Sequence, residues 1–187
     1  MKIIKSYLIT DPNYFSDNKE IFKEKLIAVL KNHKIDFACF RDKSSKNIEE
    51  LAKIFLQICK EFKIENILIN SNISLAIKLG FDGVHLNSQQ FDKIENAKKS
   101  NLITIISCHN LEELDKAMNK NIDFVTYSPI FDTPNKGESK GVDKLNEVIE
   151  KFPNLKIFAL GGIIQNEQIK EIEKTKAYGF ASIRYFI

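Results

Sequence analysis

Several features of common protein classes are missing from this chain of 187 residues. The three cysteines, Cys39, Cys59 and Cys108, are odd in number and irregularly spaced, which fits neither a disulfide framework nor a zinc site. No run approaches the roughly 18 consecutive apolar residues of a membrane span, and the first residues lack the apolar core of a signal peptide. We therefore expect a cytoplasmic protein with free thiols and no membrane partner.

Concentrated positive charge is also missing. The chain has 28 Lys and Arg residues against 25 Asp and Glu residues, a net charge of +3 that is spread along its length. A nucleic-acid partner would require a stripe of basic residues, so we expect no nucleic acid. Only two of the basic residues are arginines, Arg41 and Arg184, and both merit individual examination.

Short β-branched and aromatic runs alternate along the chain with longer segments of helical period. The runs predict eight strands, at residues 3–9, 37–41, 66–69, 83–86, 103–107, 124–127, 156–160 and 179–183. Strands that are separated by helices pair in parallel, with the helices as crossovers. No linker rich in Pro, Gly or Ser interrupts the alternation, so we expect one phosphate-binding domain over residues 1–187.

A weak internal repeat favours a closed barrel. Residues 35–40, 81–86 and 122–127 resemble one another, and residues 177–182 form a looser fourth copy. These copies contain strands 2, 4, 6 and 8, and a repeat at every second strand of eight indicates a (β/α)8 TIM barrel. An open doubly wound sheet is the alternative, but no glycine-rich loop follows strand 1.

The chain is short for such a barrel, which usually takes about 200 residues or more. The sequence ends at Ile187, directly after strand 8, so we expect the eighth helix to be absent or vestigial. The apolar flank beside Tyr185 and Phe186 would then lack its cover. We therefore expect a homo-oligomer that covers this flank.

In this fold ligands bind at the carboxyl ends of the strands. Arg41 and Lys43 follow strand 2 on one face and suit a phosphate or pyrophosphate, with a solvated surface pair as the alternative. Of the three histidines, only His109 lies at the end of a strand. It shares a face with Ser107 and can act as an acid or base near neutral pH.

Further anion-binding groups are predicted after strands 6 and 7. Thr133, Asn135 and Lys136 supply hydroxyl, amide and ammonium donors in one loop, with a flexible surface loop as the alternative. Gly161 and Gly162 would let backbone N–H groups approach a phosphate. The ends of strands 3 and 4 are polar but carry no carboxylate, which argues against a preformed metal site.

Six short segments, taken in order, resemble the thiamine-phosphate synthase/TenI superfamily over essentially the whole chain. They are residues 7–11, 40–43, 82–86, 107–113, 129–133 and 159–163. The resemblance implies a phosphate-binding barrel of thiamine biosynthesis that acts on a phosphorylated thiazole.

The synthase branch of this superfamily joins a pyrimidine pyrophosphate to the thiazole phosphate with magnesium. The resemblance implies that Arg41, Lys43 and Asn70 would bind the pyrophosphate. The positions that match contacts to the thiazole phosphate or to the reacting groups are Ser107, Thr133, Lys136 and Gly162.

The chain departs from the synthase pattern in four places. The two magnesium aspartates of the family fall at Ser71 and Gln90. The other departures are Cys39 for a glutamine, Asn135 for the second threonine of the phosphate loop, and Ile183-Arg184 around a Val-Ser pair. The loss of both metal carboxylates argues against synthase chemistry, because only the two cations after strand 2 would neutralise the leaving pyrophosphate.

The TenI branch, which includes the thiazole tautomerase, also lacks these aspartates and needs no metal. One histidine of that branch matches His109, while a second falls at Pro129. We therefore expect a cofactor-free enzyme that moves a proton on a thiazole phosphate carboxylate, with His109 as the acid or base. A divergent magnesium-dependent synthase is one alternative. A catalytically silent barrel that binds thiazole phosphate or a pathway enzyme is the other.

Overall fold

The structure, a computed structural model, describes residues 4–187 and contains eight parallel strands that close into a barrel in chain order. The strands are β1 (Lys5–Ile9), β2 (Phe37–Phe40), β3 (Asn66–Asn70), β4 (Gly83–Leu86), β5 (Ile103–Cys108), β6 (Phe124–Tyr127), β7 (Ile157–Leu160) and β8 (Gly179–Ser182). The helices are α1 (Pro12–Phe15), α2 (Lys19–Asn32), α3 (Ile48–Glu61), α4 (Ile73–Leu79), α5 (Ile94–Lys99), α6 (Leu111–Asn119), α7 (Gly141–Lys151) and α8 (Asn166–Glu173). Closure of β8 onto β1 confirms the predicted (β/α)8 barrel, and the open-sheet alternative is wrong.

The predicted strands agree with the observed ones to within one or two residues at each end. β3 and β5 extend one residue beyond the prediction, to Asn70 and Cys108. Arg41 and Ile183 lie just past the ends of β2 and β8. The predicted start of the first strand, Ile3, lies outside the described residues. Arg41 therefore belongs to a loop at the mouth of the barrel.

Two apolar layers bury the strands on both faces. The inner layer contains an aromatic cluster of Tyr7, Phe37, Phe124 and Phe158, whose ring centroids lie 5.1 to 5.9 Å apart where the rings contact. Most of these rings come from the first residues of their strands, so they fill the amino-terminal half of the barrel. The outer layer packs the sheet against the apolar faces of the helices. The carboxyl end of the barrel remains available for a cavity.

All three cysteines are free thiols buried in these layers. Among residues 4–187, no helix is both long enough and apolar enough to cross a membrane.

The internal repeat provides hydrogen bonds between neighbouring strands at the amino-terminal end of the barrel. In its first three copies an aspartate precedes an even-numbered strand and accepts a hydrogen bond from an amide N–H of the preceding odd-numbered strand. The pairs are Asp36 with Ser6 (2.9 Å), Asp82 with Ile67 (2.8 Å) and Asp123 with Thr104 (2.8 Å). Tyr178 takes the equivalent position in the looser fourth copy and packs on Phe158. The repeat therefore joins neighbouring strands at the end opposite to the predicted site.

A single 3-10 turn, Arg184–Phe186, follows β8, and no full helix follows that strand within the described residues. Phe186 is buried, and the ring of His33 at the end of α2 lies 5.4 Å from it in an edge-on contact. The Tyr185 hydroxyl donates to Asn166 of α8 (2.7 Å). These contacts bury Phe186 and partly bury Tyr185 within the chain, whereas the neighbouring Ile187 is exposed. Oligomerisation stays a prediction.

Candidate active site

A cavity of about 850 Å³ opens at the carboxyl ends of the strands, where this fold class binds its ligands. It is lined by all ten residues that the sequence predicts for substrate binding or catalysis. These are Arg41, Lys43, Asn70, Ser107, His109, Thr133, Asn135, Lys136, Gly161 and Gly162. Folding therefore brings together groups that are up to 121 positions apart, since 162 − 41 = 121.

Arg41 is fixed at one wall of the cavity by the residues that follow β1. Thr10 Oγ1 accepts the amide of Arg41 (2.8 Å) and donates to its carbonyl oxygen (3.2 Å). The Asp11 carboxylate forms an ion pair with the Arg41 guanidinium. Lys43 lies on the exposed rim nearby. Cys39 does not line the cavity, and burial raises the pKa of its thiol to about 12, so this residue offers no charged group to a ligand.

The ends of β3 and β4 carry amides and hydroxyls where magnesium would need carboxylates. Gln90 accepts the backbone amide of Asn87 (3.1 Å) and donates to the Ser71 carbonyl (3.3 Å), while the Asn70 side chain donates to the carbonyl of His85 (3.0 Å). These hydrogen bonds join the loops after β3 and β4, and the polar atoms that form them are occupied by protein partners.

The donor set does not fit a magnesium ion. Magnesium in proteins is normally held by at least one or two carboxylates. No Asp or Glu lines the cavity as described for residues 4–187, and that part of the chain contains no cluster of three His, Cys, Asp or Glu side chains suited to a metal. No step of the chemistry is therefore assigned to a metal ion.

Gly161 and Gly162 bring the end of β7 against the loop that follows β6. Both glycines have positive φ, +100° and +69°, and Phe131 donates its amide to the Gly161 carbonyl (3.0 Å). A Cβ on Gly162 would lie 2.5 Å from the Phe131 carbonyl, and a Cβ on Gly161 would lie 3.2 Å from Thr133 Oγ1. The glycines are thus required for the close approach of two loops, a role that the sequence analysis did not foresee. This approach places Thr133 beside the double glycine.

Arg184 belongs to the same corner of the cavity, although the sequence analysis did not place it in the site. Ser182 Oγ donates to the Ile163 carbonyl (2.7 Å) and accepts the Tyr185 amide (3.2 Å), which ties the turn after β8 to the loop after β7. Within residues 4–187, neither the Arg184 guanidinium nor the Gly162 amide has a protein acceptor. Both groups line the cavity, and a guanidinium and an open N–H group on one cavity wall can bind an anion.

His109 lies on the exposed rim of the cavity, between the end of β5 and the start of α6. Its Nδ1 is 3.2 Å from both the carbonyl oxygen and the Oγ of Ser128, and its amide donates to the Glu113 carboxylate (2.5 Å). No protein group within residues 4–187 binds its Nε2, so this nitrogen can meet a substrate. Pro129, at the position of the second expected histidine, is buried and offers no titratable group.

His85 of β4 is a second histidine of the cavity, and it was not predicted as a site residue. Its ring is only 3% exposed and lies between Tyr7 Oη (2.8 Å) and Ser107 Oγ (3.1 Å). Burial, with a smaller contribution from the positive charge of Arg41, lowers the pKa of His85 to about 4. The ring is therefore neutral at pH 7. A polar residue in a strand that is buried on both faces was the available sign of this inward position.

The charged side chains that line the cavity are all positive. They are Arg41, Lys43, Lys136 and Arg184. Arg41 and Lys43 follow β2, Lys136 follows β6 and Arg184 follows β8, so the cations come from three places around the mouth of the closed barrel. Such a cavity concentrates anions and suits a ligand with more than one negative charge.

Comparisons with known proteins identify close relatives of this architecture. A family model described as thiamine monophosphate synthase (TMP-TENI) matches residues 6–186. A protein of Aquifex aeolicus named putative thiamine-phosphate synthase 2 is 36% identical over 192 residues, which is 100% of both chains. The thiamine-phosphate synthase of Pelagibacter ubique is 34% identical over 84% of this chain and 76% of its own. The solved structure of a thiamine phosphate pyrophosphorylase from Pyrococcus furiosus superposes with a TM-score of 0.82 at 26% identity, covering 96% of this chain and 85% of that one.

Proposed function

The chain belongs to the thiamine monophosphate synthase family of thiamine-biosynthesis enzymes, and we propose that it is a metal-independent member that moves a proton on a phosphorylated thiazole. In this tautomerisation a proton leaves one carbon of the thiazole unit and a proton is returned to another, so the ring becomes aromatic and its composition is unchanged. The observation that carries the proposal is the cavity lining, to which the described part of the chain contributes four cations and no carboxylate.

The substrate phosphate would bind in the corner formed by the loops after β6, β7 and β8. There the Gly162 amide, the Arg184 guanidinium and the Lys136 ammonium supply donors, and the Thr133 hydroxyl lies beside the double glycine. Hydrogen bonds from charged donors to phosphate oxygens are about twice as strong as neutral ones. A phosphate dianion would also balance the two positive charges at this corner.

The substrate also carries a carboxylate on its thiazole unit, and this group would contact the two cations that follow β2. The planar Arg41 guanidinium can bind a carboxylate through two parallel hydrogen bonds, and Lys43 adds a second positive charge. Asp11 and Thr10 keep Arg41 in place when no ligand is bound. Binding at both groups would hold the thiazole ring across the cavity.

His109 would act as the acid and base. Ser128 holds its Nδ1, which leaves Nε2 to take a proton from a ring carbon. The imidazolium that this step forms can deliver its proton to the second carbon, so one histidine suffices for both transfers. This route needs no metal ion and no second histidine at Pro129.

Thiamine-phosphate synthase chemistry is the second candidate. It is favoured by the names of the relatives and by Arg41 and Lys43, which would then bind pyrophosphate. The ends of β3 and β4 count against it, because their amides and hydroxyls do not replace carboxylates in holding magnesium.

Two assays on the purified protein separate the candidates. With pyrimidine pyrophosphate and thiazole phosphate, we expect no thiamine phosphate above background, with or without magnesium. With the non-aromatic tautomer of the thiazole phosphate carboxylate, we expect conversion to the aromatic form. Magnesium-dependent formation of thiamine phosphate would overturn the proposal in favour of the second candidate. Binding of thiazole phosphate without either reaction would overturn both and support the silent barrel.

A further inference from the structure

Three side chains form a continuous hydrogen-bonded series from the aromatic core of the barrel to the cavity. Tyr7 of β1 is fully buried, and its Oη lies 2.8 Å from Nδ1 of His85 on β4. Nε2 of the same ring lies 3.1 Å from Oγ of Ser107 on β5. The hydroxyl of Thr126 on β6 lies 3.5 Å from this Nε2 and 3.4 Å from Ser107 Oγ. Of these four side chains, His85 and Ser107 line the cavity, so the series reaches the cavity at its Ser107 end.

The direction of the first hydrogen bond follows from burial. Within residues 4–187, His85 Nδ1 is the hydrogen-bond partner of the Tyr7 hydroxyl, and the Cys39 thiol beside this hydroxyl is a much weaker acceptor. Burial holds the pKa of Tyr7 well above its usual value, so the hydroxyl keeps its proton. A buried hydroxyl whose proton has no acceptor costs free energy. Tyr7 therefore donates to Nδ1.

The direction of the second hydrogen bond follows from the charge of the ring. His85 is neutral at pH 7, because burial lowers its pKa to about 4. A neutral imidazole carries one proton, and a ring that accepts at Nδ1 must carry that proton on Nε2. The Nε2–H group then donates to Ser107 Oγ.

We propose that Tyr7 and His85 are positioning residues that turn the Ser107 hydroxyl into a hydrogen-bond donor toward the substrate. The Ser107 oxygen accepts from Nε2–H and lies within reach of the Thr126 hydroxyl, so its lone pairs are used inside the protein. Its own proton is left for the open side, which is the cavity. A fixed donor there favours an anionic oxygen of the ligand and disfavours an N–H or O–H group at that point.

This arrangement rests on the proposed function only for the identity of the ligand. In that reaction, negative charge spreads over the thiazole unit as a proton leaves a ring carbon. A donor that is oriented before the substrate arrives stabilises such charge without a reorganisation cost. Ser107 would thus assist proton transfer by His109 without exchanging a proton itself.

The tautomer of His85 tests the first half of the inference without any ligand. Long-range proton–nitrogen NMR spectra of the protein with labelled histidine show which ring nitrogen carries the proton, and the variant His85→Gln assigns the resonance. We expect a neutral ring with the proton on Nε2 at pH 7. A ring protonated on Nδ1, or a charged ring at pH 7, would overturn the inference.

Tyr7→Phe tests the second half, because it removes the donor and keeps the ring. The Nε2–H tautomer then loses the hydrogen bond that favours it, so we expect the fraction of the Nδ1–H tautomer to rise. In that tautomer Ser107 donates to Nε2 instead of to the ligand. The affinity for thiazole phosphate, measured by calorimetry, should fall about two- to tenfold. Tyr178→Phe is the matched control, since Tyr178 packs 5.2 Å from Phe158 in the same aromatic cluster but does not line the cavity. It should change neither the tautomer nor the affinity.

The His85 tautomer and the affinity for thiazole phosphate are separate measurements, so they distinguish a failure of this inference from a failure of the proposed function. An unchanged tautomer and affinity in Tyr7→Phe would refute the positioning role. If Tyr7→Phe does not fold, the tautomer of the unmodified protein still decides whether Tyr7 orients His85. If thiazole phosphate binds to none of the proteins, the proposed function fails, and the tautomer still supports or overturns the orientation of His85.

Discussion

Arg184→Gln removes one of the four positive charges that residues 4–187 place at the cavity, and it keeps a polar, shorter side chain. The arginine lies in a turn that Ser182 ties to the loop after β7, and it lines the same cavity as Gly162. A hydrogen bond to a charged group contributes about 1.5–3 kcal/mol. Arg184 is partly exposed, which favours the lower part of this range. Since 1.4 kcal/mol is tenfold in Kd, we expect about tenfold weaker binding of thiazole phosphate.

Calorimetric titration of thiazole phosphate, and of the same thiazole without its phosphate, measures this effect. Only the phosphorylated ligand should distinguish the variant from the unmodified protein. Arg184→Lys keeps the charge but loses the planar fork, so its loss of affinity should be smaller. Lys31→Gln removes the same charge in the last turn of α2 and should leave the affinity unchanged.

Equal affinity of Arg184→Gln and the unmodified protein for thiazole phosphate would refute the proposed phosphate corner. A parallel loss of affinity for the thiazole without phosphate would also refute it, because the arginine would then act on the shape of the cavity and not on the anion.

Three further predictions concern the acid and base and the stability of the barrel. His109→Ala should lower tautomerase turnover at least about 100-fold and leave product binding nearly unchanged; near-normal turnover would exclude His109 as the acid or base. Asp123→Ala should cost about 1–3 kcal/mol in urea unfolding, because it leaves the buried amide of Thr104 without its acceptor; an unchanged midpoint would contradict this role. Burial alone would raise the pKa of Asp36, but the hydrogen bonds from Lys5 and from a backbone amide outweigh it, so the pKa lies below its usual 3.8. The ionised Asp36 therefore stabilises the protein above that value, and this stabilisation is lost as the pH falls through the lowered pKa. Acidification below about pH 4 should lower the free energy of unfolding more in the unmodified protein than in the Asp36→Asn variant, and equal losses in the two proteins would contradict the account.

The barrel could be predicted from the sequence because its signals are local and repeated. Alternation of apolar strands with helices fixes the parallel sheet, and the aspartate that precedes β2, β4 and β6 recurs because it makes the same hydrogen bond at each place. The ten predicted site residues share the cavity for a related reason, since the carboxyl ends of parallel strands meet at one end of the barrel.

His85 and Arg184 could not be assigned by the same reasoning. The inward position of His85 depends on which face of β4 turns toward the barrel axis, and a strand that is buried on both faces shows no hydrophobic alternation from which to read it. Arg184 follows the last strand in a 3-10 turn whose direction is set by Ser182 and by packing of the aromatic residues after it. The second role of Gly162 depends on a contact between two loops that lie far apart in sequence.

The most direct test of the central claim is the rate of tautomerisation of the thiazole phosphate carboxylate, followed by proton NMR in a strong chelator and then with added magnesium. Among residues 4–187, the cavity lining has cations and two histidines but no carboxylate to hold the metal, so we predict equal rates under the two conditions. A reaction that stops in the chelator and returns with magnesium would contradict the account.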